Sequence, residues 1–221
     1  MQITRSVVHD LRNFLNAFSI ALQLVSRAPL KADVALTMAT RQAADMKELV
    51  DQMVEYSVVL GDAALLTLEQ VELRDLFDEL VAFAQPAIEA KALTWRASFD
   101  PALSTVTSNR LKLKQIAINL LSNATKYTKS GEINLSFVLA GLGHWSIHVS
   151  DTGVGIPPED ANRVFDEFER AAGQDVPGTG LGLAIVKELC RLLGGQIDFI
   201  SREGVGTTFD IRFPLAPAEP R

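Results

Sequence analysis

Val8, Leu11, Leu15, Phe18, Leu22 and Val25 step by three and four in alternation. Apolar residues at that interval fall along one side of an α-helix and form a coiled-coil seam. The stretch "SRAPLKAD" (26–33) interrupts the pattern. Ala35, Ala39, Met46, Leu49, Met53, Tyr56 and Leu60 then resume it, with polar Gln42 in the one exceptional position, and Gly61 closes it. The spacing predicts two long helices within residues 5–61, folded back on each other as an antiparallel hairpin. A lone hairpin leaves its seam half open to water. Two hairpins packed as a four-helix bundle would close it, so the pattern predicts a homodimer.

Beyond Gly61 the period changes. Apolar residues at helical spacing predict helices near 73–91, 109–129 and 180–194. Runs that alternate or are rich in branched and aromatic residues predict strands near 94–99, 133–139, 145–150, 197–201 and 207–213. This order predicts one mixed sheet with helices on one face, an α/β sandwich. The fold class is α+β in two domains: a helical hairpin over 1–63 and a sandwich over 69–215, with a frayed, Pro-rich tail at 216–221. Of the 221 residues, 48% are hydrophobic, enough for a packed core. The net charge of -6, without a basic block, argues against a nucleic-acid surface. The single cysteine, Cys190, excludes an intrachain disulfide and reads as a buried thiol. No apolar run is long enough to cross a bilayer and no signal peptide precedes the first motif, so a cytoplasmic location is expected.

The helix near 109–129 carries "NLLSNATKYTKSG". Asn119, Asn123 and Lys126 stand at i, i+4 and i+7 and form one line. A solvated face accounts for such a stripe, although asparagine is a poor helix former. Amide oxygens are also hard ligands suited to a Mg2+ ion that holds phosphates, and the lysine suits the phosphates themselves. In "HWSIHVSDTGVGIP", Trp145, Ile147 and Val149 alternate onto one face of a strand, and Asp151 continues their parity at its end. Its carboxylate should point inward and needs a donor. An adenine amino group would serve, whereas guanine offers an oxygen there. An Asx turn closed by Gly153 and Gly155 fits the same residues. In "PGTGLGLAIVKELCRLLGG", Gly178, Gly180 and Gly182 open an apolar helix, an arrangement that can bind phosphate through backbone N–H groups. The Lys-Ser/Thr of a Walker loop is missing.

The stretches "NLLSNATKYT", "DTGVGIP", "VFDEFER", "GTGLGLAIVKELCRLLGG" and "GVGTTF" resemble, in order and spacing, the successive ATP-site motifs of bacterial sensor histidine kinases. That resemblance implies a Bergerat-type ATP-binding fold. It implies that Asn123 binds Mg2+, that Asn119 supports the phosphates, and that Lys126 and Tyr127 lie beside them. Asp151 would hold adenine, Gly153 and Gly155 would shape its pocket, and Thr208 would back the base. Gly178, Gly180, Leu181 and Gly182 would form the second glycine motif, and residues 156–182 a mobile lid. Hydrolytic relatives carry glutamate at the position of Asn119. An asparagine cannot take a proton from water, so ATP would be held for another nucleophile.

"VVHDLRNFLNA" supplies one. His9 lies beside seam residue Val8 and should face out of the bundle, and neutral imidazole is a competent nucleophile near pH 7. The stretch resembles the family's phosphoacceptor box. By that resemblance Asp10 orients the ring and takes its proton, and Asn13 positions water for dephosphorylating a partner. His144 and His148 have no such context and read as structural or solvent-facing. Two departures stand out: Phe14 replaces a usual proline, and Asn109 replaces a usual aspartate ahead of the asparagine helix, where it should still cap. The function implied is autophosphorylation of His9 from ATP with Mg2+, then transfer to an aspartate on the receiver domain of a response regulator. Two other readings compete: a degenerate kinase acting as a docking or phosphatase module, and a serine kinase of the anti-sigma type on the same fold.

Overall fold

The structure is a computed structural model. It describes residues 16, 19–20, 32–61, 66–141, 143–169 and 179–216. Apart from Asn16, Ser19 and Ile20, the first helix of the expected hairpin lies outside the described residues, as do its turn, residues 217–221, His9, Asp10, Asn13 and Gly178.

Helix α1 (Ala32–Gly61) follows the second half of the predicted hairpin and ends at Gly61. Ala35 and Ala39, both on the seam, are buried, while Leu36, Val50 and Val54 are exposed. Those three fall on one stripe beside the seam. Strand β1 (Glu69–Glu72) pairs antiparallel with β3 (Thr105–Ser108), with Val71 opposite Val106. Neither strand is expected from the sequence.

Helix α2 (Leu73–Ala90) buries Leu73, Leu76, Phe77, Leu80, Ala84 and Ile88, a single stripe at helical spacing. Strand β2 (Thr94–Phe99) follows, then helix α3 (Arg110–Tyr127), strands β4 (Glu132–Leu139) and β5 (His144–Asp151), helix α4 (Gly182–Leu192), and strands β6 (Gln196–Arg202) and β7 (Gly206–Pro214). The larger sheet has the order β2-β4-β5-β7-β6. Within it the β2–β4 pair is parallel and the other pairings are antiparallel. The mixed sheet expected from the sequence is therefore present, and its predicted strands agree with the observed ones to within a residue at each end.

Alternation along the strands decides which face is covered. Ile133, Leu135 and Phe137 of β4, Trp145, Ile147 and Val149 of β5, and Phe209, Ile211 and Phe213 of β7 are buried in one core with the apolar stripes of α2, α3 and α4. Aromatic rings run through it: Phe77 to Phe137 at 5.3 Å, Phe137 to Trp145 at 5.4 Å, and Trp145 to Phe213 at 5.3 Å between centroids. The opposite face is polar. On it His148 Nε2 stands 3.7 Å from Asp210 Oδ1. Cys190 is buried, and burial pushes its thiol up to about 12, so it stays protonated.

Candidate nucleotide site

The core stripe of α3 fixes the direction of its polar stripe. Leu113, Ile116, Ala117, Leu120, Leu121 and Ala124 are buried, so Asn119, Asn123 and Lys126 turn toward a cavity of about 310 Å3 beside the helix. Asn109 caps the helix as expected. Its Oδ1 accepts from the Lys112 amide at 3.0 Å, and its Nδ2 donates to the Thr67 carbonyl at 2.8 Å. The far end is also held: Lys91 Nζ donates to the Thr125 carbonyl at 2.5 Å, and the Val154 amide donates to the Tyr127 carbonyl at 3.3 Å. Lys126 Nζ lies 5.3 Å from the centre of the Tyr127 ring. The stripe is thus anchored at both ends by contacts to other elements.

Asp151 ends β5 with the parity of Trp145, Ile147 and Val149 and lines the same cavity. Its Oδ1 accepts from the Gly153 amide at 2.8 Å. Burial raises its pKa above the ordinary carboxylate value, and hydrogen bonds from the Gly153 and Thr207 backbone amides oppose that shift. The glycines after it are required. A Cβ on Gly153 would sit 2.6 Å from the Tyr127 carbonyl oxygen and 2.8 Å from Asp151 Oδ1. Gly155 has φ +68°, and a Cβ there would sit 2.2 Å from the Arg202 carbonyl oxygen.

Residues 157–169 form turns against the cavity. Asp160 is buried and pairs with Arg163 at 3.0 Å, and Arg163 reaches Glu169 at 3.6 Å; all three line the cavity. Phe165 packs on Phe199 and Phe209, with centroids 5.6 and 6.4 Å away. The first half of the segment expected to be a mobile lid is therefore seated on the sheet through an aromatic anchor. Residues 170–178 lie outside the described residues. The Phe168 amide donates to the Gly180 carbonyl at 3.1 Å, and the Leu181 amide donates to Thr179 Oγ1 at 3.2 Å.

Helix α4 starts at Gly182, and its first turn leaves backbone amides without acceptors inside the helix. A Cβ on Gly182 would lie 3.7 Å from Asn119 Oδ1 and 3.8 Å from Asn123 Nδ2. The helix N-terminus and the asparagine stripe thus face each other closely. Helix α1 reaches the same place. Gln52 lines the cavity and accepts a hydrogen bond from the Thr179 hydroxyl, while the Tyr56 hydroxyl donates to Glu167.

The structure brings together Asn119, Asn123, Lys126, Tyr127, Asp151, Gly155, Gly180 and Gly182 around one cavity, with Gly153 fixing the turn behind Asp151. Two expected residues are placed elsewhere. Thr208 is exposed, because strand alternation turns it to the opposite face; its neighbour Thr207 is buried and lines the cavity, paired across the sheet with Asp151. Leu181 is fully buried in the core, where it seats the start of α4 rather than facing the cavity. Sequence reasoning missed Gln52, Asp160, Arg163, Thr179 and Thr207. Parity counted back from Phe209 and Ile211 finds Thr207; the others come together only through loop and interhelix packing.

Among the described residues no group of three or more His, Cys, Asp or Glu side chains could hold a metal ion. Asn119 Oδ1 and the side-chain amide of Asn123 stand beside the N-terminus of α4, and an amide oxygen is of the kind that completes the shell of a Mg2+ ion carried in on phosphates. A cavity with an acceptor carboxylate at one place and a lysine, amide oxygens and a helix N-terminus at another suits a nucleoside polyphosphate.

Comparison with known proteins agrees. Residues 108–217 match the family described as histidine kinase-, DNA gyrase B-, and HSP90-like ATPase. The sensor histidine kinase RcsC of Escherichia coli (strain K12) is 30% identical over 220 residues, covering 97% of this chain and 23% of the relative. The histidine protein kinase DivJ of Caulobacter vibrioides is 32% identical over 219 residues, covering 95% of this chain and 36% of the relative. The chain therefore spans well under half the length of these curated relatives. Among solved structures, the histidine kinase ThkA in complex with response regulator protein TrrA aligns with a TM-score of 0.80 at 21% identity, over 99% of this chain and 63% of that one. The Acinetobacter baumannii histidine kinase AdeS aligns with a TM-score of 0.75 at 22% identity, over 94% of this chain and 98% of that one. At such identities these two alignments concern the fold.

Proposed function

We propose that this chain, whose residues 108–217 belong to the histidine kinase-, DNA gyrase B-, and HSP90-like ATPase family, is the kinase portion of an ATP-dependent protein-histidine kinase in two-component signalling. The observation that carries the reading is the convergence of Asn119, Asn123, Lys126, Asp151 and Gly182 on one cavity.

Asp151 accepts from the adenine amino group. Lys126 and the N-terminus of α4 receive the phosphates. Asn123 is the side chain that would hold Mg2+, with Asn119 supporting the phosphates beside it. A bound Mg2+ supplies charge neutralisation on the phosphate oxygens. Asn119 has no basic atom with which to activate water, so the γ-phosphoryl group is conserved for transfer.

His9 is the acceptor. A ring nitrogen attacks the γ-phosphorus, the P–N bond forms, and the bond to the β-phosphate oxygen breaks to release ADP. Asp10 takes the proton that the imidazole sheds. The phosphoryl group then passes to an aspartate carboxylate of a response regulator receiver domain, and Asn13 positions the water that hydrolyses that acyl phosphate to release inorganic phosphate. The exposed Leu36, Val50 and Val54 beside the α1 seam support a homodimer through a four-helix bundle. No helix among the described residues is long and apolar enough to cross a membrane.

Incubation of the full chain with γ-labelled ATP and Mg2+ tests the reading. The expected product is acid-labile, base-stable label on His9. Label on another residue, or release of free phosphate without a protein-bound product, would overturn it.

A further inference from the structure

Asp151, Thr207 and Ser201 form one row across β5, β7 and β6, with Asp151 opposite Thr207 and Thr207 opposite Ser201. Asp151 and Thr207 line the cavity, as does Ile156 on the loop after β5. Ser201 Oγ sits behind them. It accepts from the Ile156 amide at 2.8 Å, lies 3.1 Å from the Gly206 carbonyl oxygen, and lies 2.8 Å from Thr207 Oγ1.

A serine hydroxyl has one hydrogen and two lone pairs. One lone pair is taken by the Ile156 amide. The Gly206 carbonyl can only accept, so its contact consumes the hydrogen of Ser201. The remaining contact is satisfied only if Thr207 donates its own hydrogen to the second lone pair of Ser201. All three contacts are then hydrogen bonds. In the alternative, with Ser201 donating to Thr207, the Gly206 contact has no hydrogen. Counting the partners therefore favours one direction for the Thr207 hydroxyl: its hydrogen goes to Ser201, and its lone pairs are what it has left to offer on the side of the cavity that Thr207 lines.

We infer that Ser201 is a positioning residue for base selection, holding Thr207 as an acceptor beside the acceptor carboxylate of Asp151 so that the pocket takes a 6-amino purine and rejects a 6-oxo purine. This rests on the nucleotide reading above and adds to it a residue that does not line the cavity. Two adjacent acceptors match the two N–H groups of an exocyclic amine. A 6-oxo group would meet lone pairs on both sides, and unpaired polar groups in such a site discriminate strongly. Without Ser201 the Thr207 hydrogen is free to turn into the cavity and donate.

Calorimetry of the full chain with ATP and with ITP, which carries a 6-oxo group and an N1 proton in place of the 6-amino group and adds no 2-amino group, tests this. Removing one neutral hydrogen bond changes affinity by about two- to tenfold. Ser201→Ala should weaken ATP binding by that factor and strengthen ITP binding, narrowing the preference by about tenfold. Ser201→Thr keeps the hydroxyl and should keep the preference. Ser201→Cys fills similar space with a poorer acceptor and should narrow the preference less than Ser201→Ala, even if the alanine variant folds poorly. On a Thr207→Val background, where no hydroxyl remains to be oriented, Ser201→Ala should leave the ATP-to-ITP ratio unchanged. An unaltered ratio in the Ser201→Ala and Ser201→Cys variants, or an equal change with Thr207→Val already in place, would overturn the inference while leaving ATP binding by the wild type intact. A wild type that binds neither nucleotide would overturn the nucleotide reading, and the inference with it.

Discussion

Asp151→Asn should move ligand affinity and protein stability in opposite directions. The carboxylate lines the cavity and holds the Gly153 amide at 2.8 Å, yet burial still leaves its pKa raised. A carboxyl whose folded pKa lies above its unfolded value favours folding most at pH below the unfolded value. That contribution is lost as pH rises through the raised folded value. At neutral pH the ionised side chain is therefore a costly occupant of the site when no donor ligand faces it. An amide of the same shape can still accept from Gly153 without a buried charge. The variant should melt at a higher temperature than wild type at pH 7 without nucleotide, and the gain should shrink on acidification as the wild-type carboxyl becomes neutral. Binding should respond the other way. A hydrogen bond to a charged group is worth roughly 1.5–3 kcal/mol net, so losing the carboxylate should weaken ATP binding by about ten- to over a hundredfold. Because ATP needs the ionised form, wild-type affinity should itself fall as pH drops through the raised pKa. Paired thermal melts and calorimetric titrations from pH 7 down through the ordinary carboxylate range read both effects. A variant that is less stable at pH 7 and binds ATP as tightly as wild type would refute the reasoning.

His9→Gln should abolish autophosphorylation while leaving ATP affinity within about twofold of wild type, checked by labelling and calorimetry, because no expected nucleotide contact is removed. Asn123→Ala should abolish Mg2+-dependent phosphorylation and remove the difference in ATP affinity between Mg2+ and chelator, read by titration with and without the ion. Phe137→Ala removes a fully buried ring that touches Phe77 and Trp145, and should cost about 3–5 kcal/mol in chemical denaturation with little change in the slope of the transition.

The strands of the larger sheet are legible in the sequence because they alternate cleanly. Ile133, Leu135 and Phe137 read as one face from their spacing alone, and so do Trp145, Ile147 and Val149. The same parity, carried one residue pair further, puts Asp151 in the cavity. Strands β1 and β3 are not legible. Each has four residues, with Val71 and Val106 as their buried apolar members, and one such residue per strand makes no period. The expectation for Thr208 fails because it treats "GVGTTF" as a motif rather than as a strand: counting back from buried Phe209 puts Thr207 inward and Thr208 outward. Asp160, Arg163 and Glu169 carry no periodic signal, since turns rather than a helix or strand bring them together. The contact of Gln52 with Thr179 joins residues 127 positions apart, and nothing local to either residue announces it.

That last contact gives α1 a direct hold on the glycine loop. The Thr179 hydroxyl accepts from the Leu181 amide at the mouth of the glycine loop and donates to Gln52 on α1, one helical turn before Tyr56 meets Glu167. Suppose a polyphosphate entering that mouth weakens the hold on α1 by some factor. Thermodynamic reciprocity then requires that any force releasing α1 change polyphosphate affinity by the same factor. A twist or slide of α1 originating far along the helix would be felt in the cavity as a change in dissociation constant. The fuel gauge and the lever would be one part.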